Sequence, residues 1–255
     1  MLDSMYIGAT GMQAQQAHVD AIANNLANVN TPGFKKLRVA FSDLVTGIAG
    51  APASEAGSTS VAAGVRVAGA GRSFEGGELK KTDSALDVAI AGDGFLELAP
   101  ADGSRTFMRG GPLKVNADGY LASHAGVPLK PGIAIPDSAE SIAISSSGRV
   151  QVRLPGQATP AEVGQLELVR FANVRGLAAE GGNVYRATEA SGEPIAARPG
   201  EDGAGAVAQG FLEASNVKLV EEMVDLMVAQ RAYEASVKVV QATDDMLALI
   251  NGLRK

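Results

Sequence analysis

Cysteine and tryptophan are both absent from this 255-residue chain. Without cysteine there is no disulfide, no thiolate zinc site and no thiol nucleophile. Histidine occurs only as His18 and His124, which leaves little material for a catalytic triad, a two-histidine metal site or a proton relay. Aromatic residues make up 4% of the chain, so its 46% of hydrophobic residues is mostly Ala, Val, Leu and Ile. Basic residues are outnumbered 22 to 28, and the resulting net charge of −6 argues against a nucleic-acid clamp and against docking on an anionic membrane. No apolar run approaches about 18 residues, so membrane insertion is not expected. No basic residue precedes Lys35 and no apolar stretch follows a charged start, so a cleaved signal peptide is not expected either. The composition predicts no enzyme, no cofactor and no metal centre.

What is present is unevenly spread. Of 31 glycines, 27 lie between Gly47 and Gly210, and all 11 prolines lie between Pro32 and Pro199. Residues 1–31 and 211–251 hold only Gly8 and Gly11 and no proline, as continuous helix requires. In the first segment Met5, Met12, Val19 and Leu26 recur every seven residues, a coiled-coil spacing. Only Asp3 and Asp20 carry charge there, which is sparse for a helix facing water. Asn30, Thr31, Pro32 and Gly33 then supply turn chemistry that ends the helix. In the last segment Leu219, Leu226, Tyr233, Val240 and Leu247 form a second ladder of the same period. Ser215 or Asn216 is expected to cap it, and from about 216 to 251 it would span roughly 50 Å.

The middle reads as β structure. Leu86, Val88 and Ile90 alternate, as do Ile142 and Ile144, then Val150, Val152 and Leu154. Asp102-Gly103 and Asp118-Gly119 stand between apolar runs as hairpin turns, so residues 95–98 should pair with 106–107, and 113–115 with 120–121. Residues 46–64, rich in Ala, Gly and Ser, predict an extended or mobile connector. The fold class is therefore α+β: N- and C-terminal helices forming a coiled-coil inner domain, with a central, mostly antiparallel β domain. The expected divisions are a helix over 1–33, a connector with partial β structure over 34–80, a β domain over 81–209 and a helix over 210–255.

The chemistry-bearing residues favour structural roles. Gly92-Asp93-Gly94 and Gly69-Ala70-Gly71 lack the third glycine and helix start of a nucleotide loop and read as turns. Glu221 with Glu222, and Asp244 with Asp245, diverge on a helix and cannot converge on one atom. His18 reads as a packing residue beside the seam, His124 as a turn residue, and Lys35, Lys36 and Arg38 as a solvated linker. The seams fit either a closed helical hairpin within one chain or self-assembly between chains. The uncharged outer face of the first helix and the extra apolar residues of the second, Val220, Met227, Val239 and Met246, favour self-assembly. A secreted binding module built on the β domain is the reading from another class, although an aromatic platform for glycans is missing.

At Asn24-Asn25-Leu26-Ala27-Asn28-Val29-Asn30-Thr31-Pro32-Gly33-Phe34-Lys35 the sequence resembles the N-terminal motif of bacterial flagellar rod, hook and hook-associated axial proteins. Leu86-Asp87-Val88-Ala89-Ile90, Gly92-Asp93-Gly94-Phe95 and the blocks Gly210–Val217, Glu221–Val224 and Gln230–Glu234 extend the resemblance over nearly the whole chain. Its length, Gly64-Val65-Arg66 and Gln230–Glu234 are most similar to the distal-rod members, with the proximal-rod members next. Two departures stand out: the connector over 46–63 is shorter, and Arg109-Gly110-Gly111-Pro112 replaces a stretch that more often holds an acidic residue and Phe. The resemblance implies a structural subunit of the flagellar basal body spanning the periplasm, which transmits torque from motor to hook. It implies as partners the chain itself in a helical rod, neighbouring rod and hook proteins, the flagellar export apparatus, and P- and L-ring proteins around the rod. It implies no nucleic acid. The two ladders, Met5, Met12, Val19 and Leu26 with Leu219, Leu226, Tyr233, Val240 and Leu247, would carry the inner packing.

Overall fold

A computed structural model of the chain describes residues 2–47, 60–101, 103–157 and 159–252. Its contacts separate two units, one taking residues up to Val29, Leu37–Ser73 and Val217 onward, the other taking Asn30–Lys36 and Phe74–Asn216. The expected α+β composition is present, with one helix near each end of the chain and antiparallel sheets between.

The first unit holds α1 (Leu2–Ala27), β1 (Leu37–Gly47), β2 (Ser60–Arg72) and α2 (Leu219–Gly252). With 34 residues, α2 is about 50 Å long. It begins three residues beyond Asn216, so neither Ser215 nor Asn216 starts it as expected. The Asn216 amide is committed elsewhere, accepting from Lys36 N at 2.7 Å and donating to the Glu75 carbonyl at 3.1 Å. The end of α1 follows from turn chemistry: Asn28 N donates to both Asn24 O and Asn25 O, and Val29 N to Leu26 O. Strands β1 and β2 form an antiparallel ribbon from Leu37 opposite Arg72 to Gly47 opposite Ser60, with irregularities after Ala40 and Leu44. The central part of the expected connector, residues 48–59, lies outside the described residues, and residues 60–64 belong to β2. Gly64 adopts φ +121°, and a Cβ there would collide with Thr10 Oγ1 of α1, whose oxygen accepts Val65 N. His18 packs edge-on against Phe41 of β1, ring centres 5.6 Å apart.

The second unit is built from short strands: β3 (Leu79–Lys81), β4 (Asp87–Ala91), β5 (Phe95–Leu98), β6 (Thr106–Met108), β7 (Gly110–Val115), β8 (Leu121–Ser123) and β9 (Leu129–Lys130). There follow β10 (Ser141–Ile144), β11 (Arg149–Arg153), β12 (Ala161–Gln165), β13 (Leu168–Arg170), β14 (Ala178–Gly181), β15 (Val184–Arg186), β16 (Ile195–Ala197), β17 (Ala206–Gln209) and β18 (Phe211–Glu213). The sheets run β14-β15-β6-β5-β13-β16 with β9 also on β5, then β17-β4-β7-β8, β10-β11-β12 and β18-β3. Both expected hairpins form. Leu96 pairs with Met108 and Leu98 with Thr106, while Leu113 pairs with Ser123 and Val115 with Leu121. Gly103 and Gly119 take the positive φ the tight turns need, and Asp102 lies outside the described residues.

Of the alternating residues read from the sequence, Val88, Ile90, Ile144, Val150 and Val152 are buried in the main core, which Leu96, Leu121, Leu166 and Leu168 complete. A second, aromatic cluster joins Phe95, Phe107, Phe171 and Tyr185, with Phe74 packed on Phe95 and Tyr185 edge to face. Most of the chain's few aromatic rings are thus spent inside this unit.

Candidate functional site

Helices α1 and α2 lie antiparallel: Gly8 approaches Val240 and Ser236 near one end, and Asn25 bonds Glu222 near the other. A Cβ on Gly8 would stand 2.7 Å from Val240 Cγ2, so the missing side chain is what allows this approach. Apart from Ile22, the buried positions are small or polar. On α2 they are Glu222, Ala229 and Thr243, with Ser236 half-buried between them, again a seven-residue period. On α1 they are Ala14, Ala21, Ile22 and Asn25, with Gly8 also buried. Asn25 fastens the ends: its Oδ1 accepts Leu37 N at 2.8 Å, and its Nδ2 donates to Leu37 O and to Glu222 Oε2, each at 3.0 Å.

The large-residue ladders sit beside that seam. Met5, Met12, Val19 and Leu26 on α1, and Leu226, Val240 and Leu247 on α2, are half-buried. Leu219 and Tyr233 are exposed, at 50% and 42%. Around Leu219 the outer side of α2 is apolar for more than two turns, with Val220 73%, Met223 52%, Met227 57% and Val228 61% exposed. A second exposed apolar stretch holds Val239, Met246, Leu249 and Ile250. Exposed Arg231, Glu234 and Lys238 separate the two, with Arg231 and Glu234 paired at 2.9 Å.

In the β unit, the residues after α1 meet those before α2 around a buried charge cluster. Lys35 was expected in a solvated linker; instead its side chain is 0% exposed, and Nζ donates to Glu213 Oε1 at 2.7 Å and to Glu75 O at 2.8 Å. Lys36 is half-buried and only Arg38 of that trio is exposed. Gly77 N donates to Glu213 Oε1 at 2.8 Å, and Arg109 Nε reaches Glu213 Oε2 at 3.4 Å. Arg109 is itself buried, donating to the carbonyls of Gly94 and Gly92 at 2.9 and 2.8 Å with its guanidinium over the Phe95 ring. Two cations therefore share one carboxylate away from water. Burial holds the Lys35 ammonium below its ordinary pKa, against the pull of Glu213. For Glu213, burial acts upward but is outweighed by Arg109, Lys35 and the Gly77 amide, leaving its pKa lowered. Every polar atom described here is engaged in holding chain segments together.

The remaining motif residues share this work. Asn28 Nδ2 donates to Asn24 O at 2.9 Å, Thr31 O accepts Phe34 N, and Pro32 O accepts Asn183 Nδ2 at 2.7 Å. Gly33, at φ +71°, donates its N–H to Glu213 O at 2.7 Å, and buried Phe34 accepts Asn216 N. Leu26 is half-buried and Ala27 exposed. Glu213, Arg109, Gly77 and Glu222 were not singled out for these roles by sequence, although Glu213 lies inside the C-terminal block and Arg109 inside a recognised departure. His124 lies in an exposed turn. Among the described residues no three His, Asp or Glu side chains gather closely enough to hold a metal ion.

These blocks match known proteins. Residues 5–35 match the model of the flagella basal body rod protein, 89–152 the flagellar hook protein FlgE/F/G D1 domain, and 208–253 the flagellar basal body rod FlgEFG protein C-terminal region. The flagellar basal-body rod protein FlgG of Borreliella burgdorferi is 42% identical over 264 aligned positions that cover all of both chains. This chain belongs to the flagellar basal-body rod protein family. Two rod proteins of Caulobacter vibrioides differ in their similarity to it. The FlgG protein of that organism is 41% identical over 99% of this chain and 100% of its own length. Its FlgF protein is 33% identical over 96% of this chain and 95% of its own. The motif carrying Asn25 and the stretch carrying Glu213 both fall within rod-family matches, so the Asn25 tie and the charge cluster are built largely from rod-family segments.

Proposed function

We propose that the chain is a structural subunit of the flagellar rod, at the distal position. It self-assembles through its helical unit into a helical tube that carries torque from motor to hook across the periplasm. In this reading α1 and α2 form the coiled-coil inner layer, with neighbouring subunits covering the apolar outer side of α2, and the β unit forms the outer layer. Rod and hook proteins are its axial neighbours, the P and L rings surround it, and the flagellar export apparatus delivers it. What supports self-assembly is the apolar side of α2 around Val220, Met223, Met227 and Val228, far more apolar than a helix that ends in water. The distal position is supported by the higher identity to FlgG than to FlgF within one organism.

The test is sedimentation velocity and electron microscopy on the full chain and on two variants. Val220→Asp, on the exposed side, and Leu226→Asp, in the ladder, should each abolish assembly while the β unit keeps its cooperative thermal transition. Intact tubes from both variants would overturn the assignment of α2 as the assembly face.

A further inference from the structure

The absence of cysteine and tryptophan leaves the methionine thioethers as the most easily oxidised side chains in the molecule. They are not spread evenly. Met223 and Met227 stand one helical turn apart on α2, 52% and 57% exposed, in the midst of the apolar stretch formed with Val220, Val224 and Val228. Met108, by contrast, is 8% exposed and belongs to the main core of the β unit. Met5 and Met12 on α1 are half-buried, and Met246 lies in the other exposed stretch of α2.

We propose that Met223 and Met227 form a peroxide-sensitive modification site that switches off the association face of α2. The inference rests on the assembly role proposed above. A peroxide transfers one oxygen to each thioether. Its O–O bond breaks, the sulfur loses two electrons and becomes a sulfoxide, and the second peroxide oxygen leaves as water or alcohol. The product replaces a soft apolar atom by a strong hydrogen-bond acceptor. On the exposed helix that acceptor is solvated. Packed against another apolar surface it loses its water without gaining a donor, so the association is weakened while the fold is left intact. Packing of the same face in turn removes the thioethers from solution, so the free subunit is the vulnerable state. The change is reversible, because methionine sulfoxide is a substrate for thiol-dependent reduction.

The test treats the full chain with hydrogen peroxide, maps the gained oxygen by peptide mass spectrometry, and reads self-association by sedimentation velocity. Met223 and Met227 should each gain an oxygen before Met108 does, and self-association should weaken at least about tenfold. Reduction by methionine sulfoxide reductases should restore it. The variant Met223→Leu/Met227→Leu keeps apolar volume, and peroxide should leave its association where it stood before treatment, whereas Met246→Leu should stay sensitive. Oxidation of both residues with unchanged association overturns the inference while leaving the assembly reading standing, and so does equal loss of association in the double-leucine variant. An untreated chain that never self-associates overturns the assembly reading, and this inference with it.

Discussion

Lys35 Nζ lies 2.7 Å from Glu213 Oε1, joining residues 178 positions apart in the sequence. The contact is dry on both sides, and Arg109 approaches the other carboxylate oxygen. The cluster therefore tolerates the loss of one cation far better than the loss of its single anion. Glu213→Gln leaves two buried cations without a counter-charge and should destabilise the β unit by about 3–5 kcal/mol. Lys35→Met leaves one cation facing one carboxylate and should cost roughly 1–2 kcal/mol. Urea denaturation of both variants checks the order, and equal losses would refute it.

Stability should rise with pH at both ends of the titration range. Glu213 has a lowered pKa when folded, so its contribution is present above the ordinary carboxylate pKa and is lost as pH falls through the folded value. Lys35 also has a lowered pKa when folded, here chiefly because of burial. Between that value and its ordinary one of 10.5 the unfolded chain binds the extra proton, so raising pH through this window favours the folded state. Lys35→Met should remove the alkaline gain, and Glu213→Gln should flatten the acid loss, in melts recorded across pH.

Gly77→Ala should destabilise the β unit by about 1–3 kcal/mol through overpacking alone. Its new methyl would collide with the Ala214 carbonyl oxygen, part of the backbone, and the shift needed to relieve this pulls the Gly77 N–H from Glu213. Hydrogen exchange at Gly77 and along β3 and β18 should accelerate more than exchange in β5 and β6.

Asn25→Ala strands the Leu37 N–H and C=O and removes one donor from Glu222. At about 1–3 kcal/mol for each buried group left unpaired, the total loss should be roughly 2–4 kcal/mol after relaxation and water entry. Faster exchange should be confined to α1, α2 and β1, with the β unit unchanged.

Periodicity made the two helices legible, and Asp-Gly turns made two hairpins legible, because both signals are local. The buried positions of the helices are a different matter. Ladders are found by counting Leu, Met and Val, while the buried positions include Gly8, Ala14 and Ala229, and at Gly8 the missing side chain is what permits the approach to Val240. Lys35 was misread for a different reason. Three basic residues within four positions after a turn look solvated, and nothing near them in sequence discloses a carboxylate 178 residues later. Arg109 carried a usable signal, since an arginine among glycines beside a strand invites the question of which carbonyls it caps.

The Lys35–Glu213 contact also sets an order of events. A chain emerging amino end first presents Lys35 well before Glu213, and its ammonium must remain hydrated until the 178 positions between them have followed. Hairpins such as β5 with β6 and β7 with β8 have both of their strands early and can close on the way. The charge cluster cannot, so the β unit becomes complete only once the chain from Lys35 through Glu213 is free to fold as one piece.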